Sequence, residues 1–192
     1  ANNGTLGSSG GSDSADPSWT YSGRFASALK FDGVDDYVSI ADSSSFPVGN
    51  QFTVEAWVKL DSIDDTADHI VRKNATNVDG NSFTIYKFRS GYDSGRFAFY
   101  VYNESGTMAR LRGTEVSPQV GVWYSLVGTY NGSTIKFYIN GIASLDSGYE
   151  NLTGNLYNTV GQPFFIGRSN RNVANDYFNG TIDEVRVWNR AL

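Results

Sequence analysis

The chain has 192 residues and a net charge of −5, with 15 basic residues, 20 acidic residues, one histidine and no cysteine. This charge balance and the lack of any Lys/Arg run argue against a nucleic-acid partner, which needs a clustered basic surface. Without cysteine, disulfide and thiol chemistry are excluded, and no stretch approaches the roughly 20 apolar residues that would insert into a membrane.

The elements predicted from the N-terminus onward are short strands that follow an extended arm. Residues 1–18 are rich in Gly, Ser, Asn and Asp, a composition typical of an arm that buries little surface. Residues 26–32 then predict a strand, and a turn at Gly33 predicts residues 37–40 as its hairpin partner. The later predicted strands span residues 52–58, 69–72, 82–86, 96–102, 108–112, 123–130, 134–139, 164–167 and 181–188.

Tight turns and the lack of a helical period complete this pattern. Asn131-Gly132 and Asn140-Gly141 are strong signals for two-residue turns on either side of strand 134–139. An aromatic content of 15% favours strands and supplies surfaces on which ligands stack. We therefore expect one all-β domain over residues 1–192, folded as a sandwich or barrel.

Five motifs in order carry a resemblance to a known family. They are ALKFDGVDDYV (28–38), FTVEAWV (52–58), GVWY with GTY (121–124 and 128–130), FYING (137–141) and IDEVRVW (182–188). Together they resemble laminin G-like domains and, more narrowly, the concanavalin A-like lectin/glucanase jelly roll. The resemblance runs from about residue 3 to residue 192. It implies a two-sheet antiparallel β-sandwich, often with a structural Ca²⁺, and frequently a carbohydrate-binding role in a larger extracellular protein. Glucanases, lectins and adhesion modules share this fold, so the fold alone does not fix the function.

Asp32 and Asp183 are the metal ligands that this resemblance implies. A sandwich commonly brings its first and last strands together, so we expect the two carboxylates to meet. With backbone carbonyls they would offer the oxygen ligands that Ca²⁺ prefers. Asp35 and Asp36 are further candidates. The alternative is that these aspartates cap turns by accepting backbone N–H groups.

Outward-facing tyrosines and arginines are the candidate carbohydrate-binding residues. Alternation along strands 96–102, 108–112 and 134–139 sends five such side chains away from the core: Tyr100, Tyr102, Arg110, Arg112 and Tyr138. We expect them to converge on one sheet face, where sugars stack on aromatic rings beside polar groups. The alternative is that they are good strand formers covering a half-exposed sheet. Loop residues form a second possible site, and periodicity does not choose between the two: Tyr92, Tyr149, Asn170, Arg171 and Tyr177.

Catalytic motifs are weak in this chain. A retaining glucanase needs two carboxylates about 5–5.5 Å apart, and Glu-x-Asp-x-Glu on one strand is the expected pattern. The chain has no such run, Glu55 is isolated, and adjacent Asp183 and Glu184 would face opposite sides of a regular strand.

Taken together, these features predict a non-catalytic, lectin-like module of a larger extracellular or cell-surface protein. Its expected partner is a polysaccharide or other glycan, and its expected cofactor is structural Ca²⁺. An adhesion module that binds a cell-surface protein without glycan is the alternative. A glucanase-type hydrolase is the third possibility, and it rests on fold analogy alone.

Overall fold

The computed structural model describes residues 3–8, 11–43, 46, 49–74, 81–93, 95–157, 159–169 and 177–192. Within them, regular structure is almost entirely β-strand, with one short helix, α1 (Ser90–Asp93). The strands are β1 (Gly4–Leu6), β2 (Ser18–Thr20), β3 (Ala28–Asp32), β4 (Val38–Ile40), β5 (Phe52–Leu60), β6 (Asp68–Asn74), β7 (Asn81–Lys87), β8 (Phe97–Tyr102), β9 (Met108–Arg112), β10 (Trp123–Tyr130), β11 (Ile135–Ile139), β12 (Ile142–Ala143), β13 (Phe164–Ile166) and β14 (Asn179–Trp188). In the described part of the chain, no helix has the length and apolarity needed to cross a membrane.

The strands form two antiparallel sheets of seven strands each, which confirms the predicted all-β sandwich. Sheet A has the order β1-β4-β13-β6-β7-β8-β9, and sheet B has the order β12-β11-β10-β5-β14-β3-β2. The predicted succession of β7, β8 and β9 is found as neighbouring antiparallel pairs. Residues 140–141 join β11 to β12 as a two-residue turn, as predicted. The turn between β10 and β11 is also present, but it spans the four residues 131–134.

The core is built from one phase of each strand. Four alternate residues of β5 face it and are at most 1% exposed: Phe52, Val54, Ala56 and Val58. On the facing sheet, Phe99 of β8 is fully buried, and its ring packs directly on Gly128 of β10. A Cβ at position 128 would come within 2.6 Å of that ring, so only glycine fits there. The opposite phase of each strand therefore faces outward.

The segment after β3 does not form the predicted hairpin. β3 lies in sheet B beside β2 and β14, whereas β4 lies in sheet A between β1 and β13. The turn at Gly33, whose φ is 80°, thus carries the chain from one sheet to the other. Phe31 before the turn and Val38 after it both reach the shared core. Alternation predicts which face of a strand is buried but not which strand lies beside it.

The C-terminal strand lies directly beside the N-terminal part of the chain. β14 sits between β3 and β5, with Asn179 opposite Asp32 and Ile182 opposite Leu29. The expected adjacency of the first and last predicted strands, now β3 and β14, is therefore present within sheet B. β1, which lies in the segment expected to be an arm, belongs to sheet A.

Candidate functional site

The five residues predicted to bind carbohydrate do not share one face. Tyr100, Tyr102, Arg110 and Arg112 lie on the outer side of sheet A, on β8 and β9. Tyr138 lies on β11 of sheet B and alternates there with buried core residues. The outer faces of the two sheets point away from each other across the core. The expectation that Tyr138 converges with the other four is therefore wrong, because periodicity fixes the phase of a strand but not its sheet.

The four sheet A residues form a packed surface, here called the Tyr–Arg face. Tyr100 lies opposite Arg110 in the β8–β9 register. The ring of Tyr100 is 5.2 Å from that of Tyr86, and the guanidinium of Arg110 lies 4.5 Å above the ring of Tyr149. Burial and the neighbouring Tyr100 raise the pKa of the Tyr86 hydroxyl well above its usual range. On the Tyr–Arg face, the ring of Tyr100 and the guanidinium of Arg110 therefore already contact neighbouring aromatic rings.

Arg112 has a structural partner on this face. Its Nε lies 3.1 Å from Oδ2 of Asp146, and its backbone N–H donates to the same oxygen at 3.0 Å. Burial acts to raise the pKa of Asp146, but the hydrogen bonds from Arg112 outweigh burial and hold that pKa below its ordinary value. Arg112 thus fastens the loop that carries Asp146 to the edge of sheet A.

The one histidine is packed within this surface. His69 is 8% exposed, and its ring stacks on Tyr86 at 5.4 Å. Its Nδ1 lies 3.2 Å from Oγ1 of Thr84, and its Nε2 lies 3.2 Å from Nη1 of Arg72. His69 therefore belongs to the polar network beside the Tyr–Arg face.

A separate cleft opens on the outer face of sheet B, and we call it the tryptophan cleft. Its volume is about 520 Å³, and it is lined by Arg24, Trp57, Trp123, Ser125, Asn140 and Gly141. Trp57 pairs with Ser125 across β5 and β10, and Trp123 precedes Ser125 by two residues on β10. The two indoles are therefore diagonal neighbours, a relation that places residues about 7–8 Å apart in an antiparallel sheet.

The Asn140-Gly141 turn closes one end of the tryptophan cleft. Both residues have positive φ, 53° and 79°, as a two-residue hairpin turn requires. The backbone N–H of Asn140 donates to the carbonyl oxygen of Ser125 at 2.8 Å, and Oδ1 of Asn140 accepts the N–H of Ser125 at 2.9 Å. The turn is thus fixed to β10 beside Trp123.

Two cations flank the two indoles. The guanidinium of Arg24 lies 4.6 Å from the ring centroid of Trp57, and Nζ of Lys59 lies 5.1 Å from that of Trp123. Phe25 meets Trp57 edge to face at 5.8 Å. The tryptophan cleft therefore combines two aromatic platforms, two positive charges and the hydrogen-bonding groups of Ser125 and Asn140.

The tryptophan cleft is not among the sites predicted from the sequence. The outward phase of Trp57 and Trp123 is readable from strands 52–58 and 123–130, because each alternates with apolar core residues. Their closeness depends on the β5–β10 register, and the position of Arg24 depends on a loop. Neither is encoded in local periodicity.

The aspartates expected to hold a metal lie in two separate places. The β3–β14 register sets Asp32 opposite Asn179. Asp183 lies four residues beyond Asn179 on β14, and this separation is about 13 Å at roughly 3.3 Å per residue. The expectation that Asp32 and Asp183 meet is therefore wrong. Asp183 instead accepts the backbone N–H groups of Arg24 and Phe25, at 2.9 and 3.3 Å.

Asp32 is grouped instead with Asp35 and Asp36, each of which offers a carboxylate oxygen within 4.8 Å of the others. Oδ2 of Asp36 accepts the N–H of Asp32, and Oδ1 of Asp32 accepts the N–H of Val34, both at 2.8 Å. Burial raises the pKa of Asp36 to about 6. The hydrogen bond from the backbone N–H of Asp32 acts to lower this pKa, and the nearby carboxylates act to raise it further. The turn-capping contacts of the alternative interpretation are thus present. The same three carboxylates are hard oxygen donors of the kind that Ca²⁺ takes.

The predicted loop site is described only in part. Asn170 and Arg171 lie outside the described residues, and only the backbone of Tyr92 is described. Tyr149 packs under Arg110 on the Tyr–Arg face, and the ring of Tyr177 lies 5.8 Å from the guanidinium of Arg168.

Two glutamates at β14 and the adjacent β5, Glu184 and Glu55, are engaged in ion pairs. A bulge between Asp183 and Arg186 gives Glu184 a φ of 51° and breaks the alternation of the strand. Glu184 then pairs with Arg186, whose Nη1 also lies 3.1 Å from Oε1 of Glu55. The expectation that Asp183 and Glu184 face opposite sides assumes a regular strand, and the bulge removes that regularity.

A family comparison matches most of the chain. The laminin G model described as the Concanavalin A-like lectin/glucanases superfamily matches residues 32–192. A comparison with curated proteins finds no match.

Solved structures share the fold at low sequence identity. Domain 4 of AbnA, a GH43 extracellular arabinanase from Geobacillus stearothermophilus in complex with arabinotriose, is 20% identical with a TM-score of 0.68, and the match covers 98% of this chain and 83% of that one. The binding domain of Paraclostridial Mosquitocidal Protein 1 is 15% identical with a TM-score of 0.73, and the match covers 100% of this chain and 45% of that one. The Botulinum neurotoxin serotype D binding domain is 13% identical with a TM-score of 0.67, and the match covers 100% of this chain and 44% of that one. The chain thus spans less than half of either toxin binding domain, and at these identities the likeness extends to the fold.

Proposed function

Because this chain belongs to the laminin G-like, concanavalin A-like lectin/glucanase superfamily, we propose that it is a non-catalytic carbohydrate-binding module of a larger extracellular or cell-surface protein. The tryptophan cleft carries the proposal, since it presents two indoles and several polar groups on one outer sheet face. The fold shared with an arabinanase domain seen with arabinotriose, and with two toxin binding domains, supports a binding role.

The tryptophan cleft offers both kinds of contact that a sugar needs. The apolar C–H face of a sugar ring stacks on an indole, and the diagonal placement of Trp57 and Trp123 suits two positions along an oligosaccharide. Oδ1 of Asn140 is engaged by Ser125, so its amide nitrogen supplies the donors for sugar hydroxyls. An aromatic floor with a few placed polar groups is the usual design of a ligand cleft.

The Tyr–Arg face stays a prediction as a second sugar surface. Tyr100 contacts Tyr86 and Arg110, and Arg110 also contacts Tyr149. A ligand on this face would have to replace these internal contacts. We place the glycan on sheet B because two indoles and two hydrogen-bonding side chains there line an open cleft of about 520 Å³.

One observation favours the adhesion alternative. A cleft of about 290 Å³ lies at the β2–β3 edge, and Trp19, which is 67% exposed, lines it beside Leu29, Ile166 and Val185. An exposed aromatic beside an apolar cleft is also what a protein partner would bury.

We propose in addition that Asp32, Asp35 and Asp36 hold a structural Ca²⁺. Their carboxylate oxygens lie within 4.8 Å of one another and are the kind of ligand that Ca²⁺ prefers. The ion would supply positive charge at the turn that joins the two sheets. Asp183 is not part of this group.

Calorimetric titration with a panel of oligosaccharides tests the carbohydrate proposal. We expect binding by the wild type, its loss in Trp57→Ala and Trp123→Ala, and its retention in the control Trp188→Ala, a tryptophan further along sheet B. Loss of binding in a Tyr100→Ala/Tyr102→Ala variant, with both cleft variants unaffected, would move the site to the Tyr–Arg face. A protein that binds none of the sugars but captures a protein partner through Trp19 would support adhesion instead.

A further inference from the structure

Two cations at the tryptophan cleft differ from Lys30 and Arg186 of the same sheet because no described carboxylate pairs with them. Lys30 pairs with Asp61, and Arg186 pairs with Glu55 and Glu184. Arg24 and Lys59, by contrast, have no carboxylate partner in the part of the chain that the structure describes. Each of them lies against an indole of the cleft. The cleft is therefore bordered by two cations that take part in no described ion pair, on a protein whose net charge is −5.

The acidic groups that border the cleft are already satisfied. Glu55, two residues before Trp57 on β5, is held by Arg186. The carboxylate of Asp183, which lies beside Trp57 in the β5–β14 register, accepts three backbone N–H groups, those of Arg24, Phe25 and Glu184. The oxygens of both carboxylates are thus engaged by other donors, and neither carboxylate forms a described ion pair with Arg24 or Lys59.

Arg24 is held in place by a strained loop. The N–H of Gly23 donates to the carbonyl oxygen of Ala26 at 2.9 Å, and Ala26 adopts a φ of 136°, which residues with a side chain rarely do. Asp183 accepts the N–H of Arg24 at 2.9 Å and fixes this loop to β14. Strain of this kind persists only where its surroundings enforce it, and it concentrates at binding sites.

We infer that the tryptophan cleft binds an acidic glycan, with its sugar rings on Trp57 and Trp123 and a carboxylate of the sugar on Arg24 and Lys59. This inference rests on the proposed carbohydrate function and names its ligand class. A guanidinium matches a carboxylate with two parallel hydrogen bonds, and an ammonium adds a second positive charge. Asp183 then acts as a positioning residue, because it sets the loop that carries Arg24.

The test compares oligogalacturonate with its methyl ester, in which the rings are kept and the charge is removed. Oligoalginate and hyaluronan fragments are tested as further acidic sugars, and arabinotriose is tested as a further neutral sugar. We expect the wild type to bind at least one acidic sugar, to bind the neutral counterparts about tenfold more weakly or not at all, and to lose affinity as NaCl is raised. Arg24→Ala should weaken acidic binding by about tenfold, Arg24→Lys by less, and the exposed control Lys136→Ala not at all.

The outcomes separate this inference from the function on which it rests. Equal binding of oligogalacturonate and its methyl ester, or unchanged binding by Arg24→Ala, would overturn the acidic assignment and leave carbohydrate binding intact. Absence of binding to every sugar in both arms would overturn both. In Asp183→Asn, a loss of acidic affinity with an unchanged far-UV spectrum would support the positioning role, and unchanged affinity would remove it.

Discussion

A buried ion pair in sheet A makes a stability prediction that the structure allows us to work out in detail. Asp68 and Lys87 are opposite each other in the β6–β7 register, and both side chains are 0% exposed. Nζ of Lys87 lies 3.2 Å from Oδ2 of Asp68 and 3.2 Å from the carbonyl oxygen of Thr66. Oδ2 of Asp68 has no hydrogen-bond partner in the described structure, so its compensation comes from Lys87.

Lys87→Met keeps the apolar stem of the side chain and removes its charge. Removing one partner of a buried ion pair costs about 3–5 kcal/mol, because the other charge is left uncompensated. For a chain of this length, 1 kcal/mol shifts Tm by about 2–4 °C, so we expect Tm to fall by about 6–20 °C at pH 7.5. Lys87→Met combined with Asp68→Asn removes both charges and should recover most of the loss.

The stability that Lys87→Met loses should be larger at pH 7.5 than at pH 5. Burial raises the pKa of Asp68 to about 6, although Lys87 opposes the effect. Because this folded pKa lies above the ordinary value of 3.8, the stability that protonated Asp68 contributes is complete below pH 4 and fades as the pH rises through 6. Without Lys87 the pKa rises further, so the deficit of Lys87→Met is largest at pH 7.5 and shrinks at pH 5.

Thermal and urea unfolding followed by circular dichroism, at pH 7.5 and pH 5, measure this effect with the wild type as reference at each pH. An equal deficit of Lys87→Met at both pH values would refute the reasoning. So would a double variant no more stable than Lys87→Met alone.

Three further predictions concern packing and the proposed calcium site. Gly128→Ala should cost about 1–3 kcal/mol in urea unfolding, because its Cβ would meet the ring of Phe99 at 2.6 Å; an unchanged midpoint would contradict this packing. Calcium at about 100 times its Kd should stabilise the fold by about 2.7 kcal/mol relative to EDTA. Asp36→Asn should abolish this shift and Asp183→Asn should keep it, whereas a melt unaffected by EDTA would count against the ion. In EDTA, Asp36→Asn should raise Tm at pH 7.5 but not at pH 4, since its raised pKa of about 6 makes ionisation unfavourable in the fold; equal effects at both pH values would contradict this.

The fold was largely predictable because its information is local. Alternation along Phe52–Leu60 predicts which side chains are buried, and Asn-Gly pairs predict the turns on either side of β11. Sheet membership is not local. Asp32, Gly33 and Asp36 carry the same turn signals whether β4 returns beside β3 or crosses to the other sheet, and the chain crosses.

The candidate site was less predictable for the same reason. The outward phase of Tyr100 and Tyr138 is correct, yet their strands lie in different sheets. Asp183 lies on the strand expected for it, but the register sets it against the Arg24 loop and far from Asp32. Local patterns give the faces of strands, whereas a site depends on registers and loops that only the folded chain defines.

The indole region of a ¹⁵N–¹H spectrum tests the central claim most directly, since the chain has four tryptophans and each contributes one Nε1–H signal. Substitution of each tryptophan by phenylalanine assigns the four signals. On addition of a sugar that binds in the calorimetric panel, we predict shifts of the Trp57 and Trp123 signals and unchanged signals for Trp19 and Trp188. A bound sugar that leaves Trp57 and Trp123 unmoved would contradict the account.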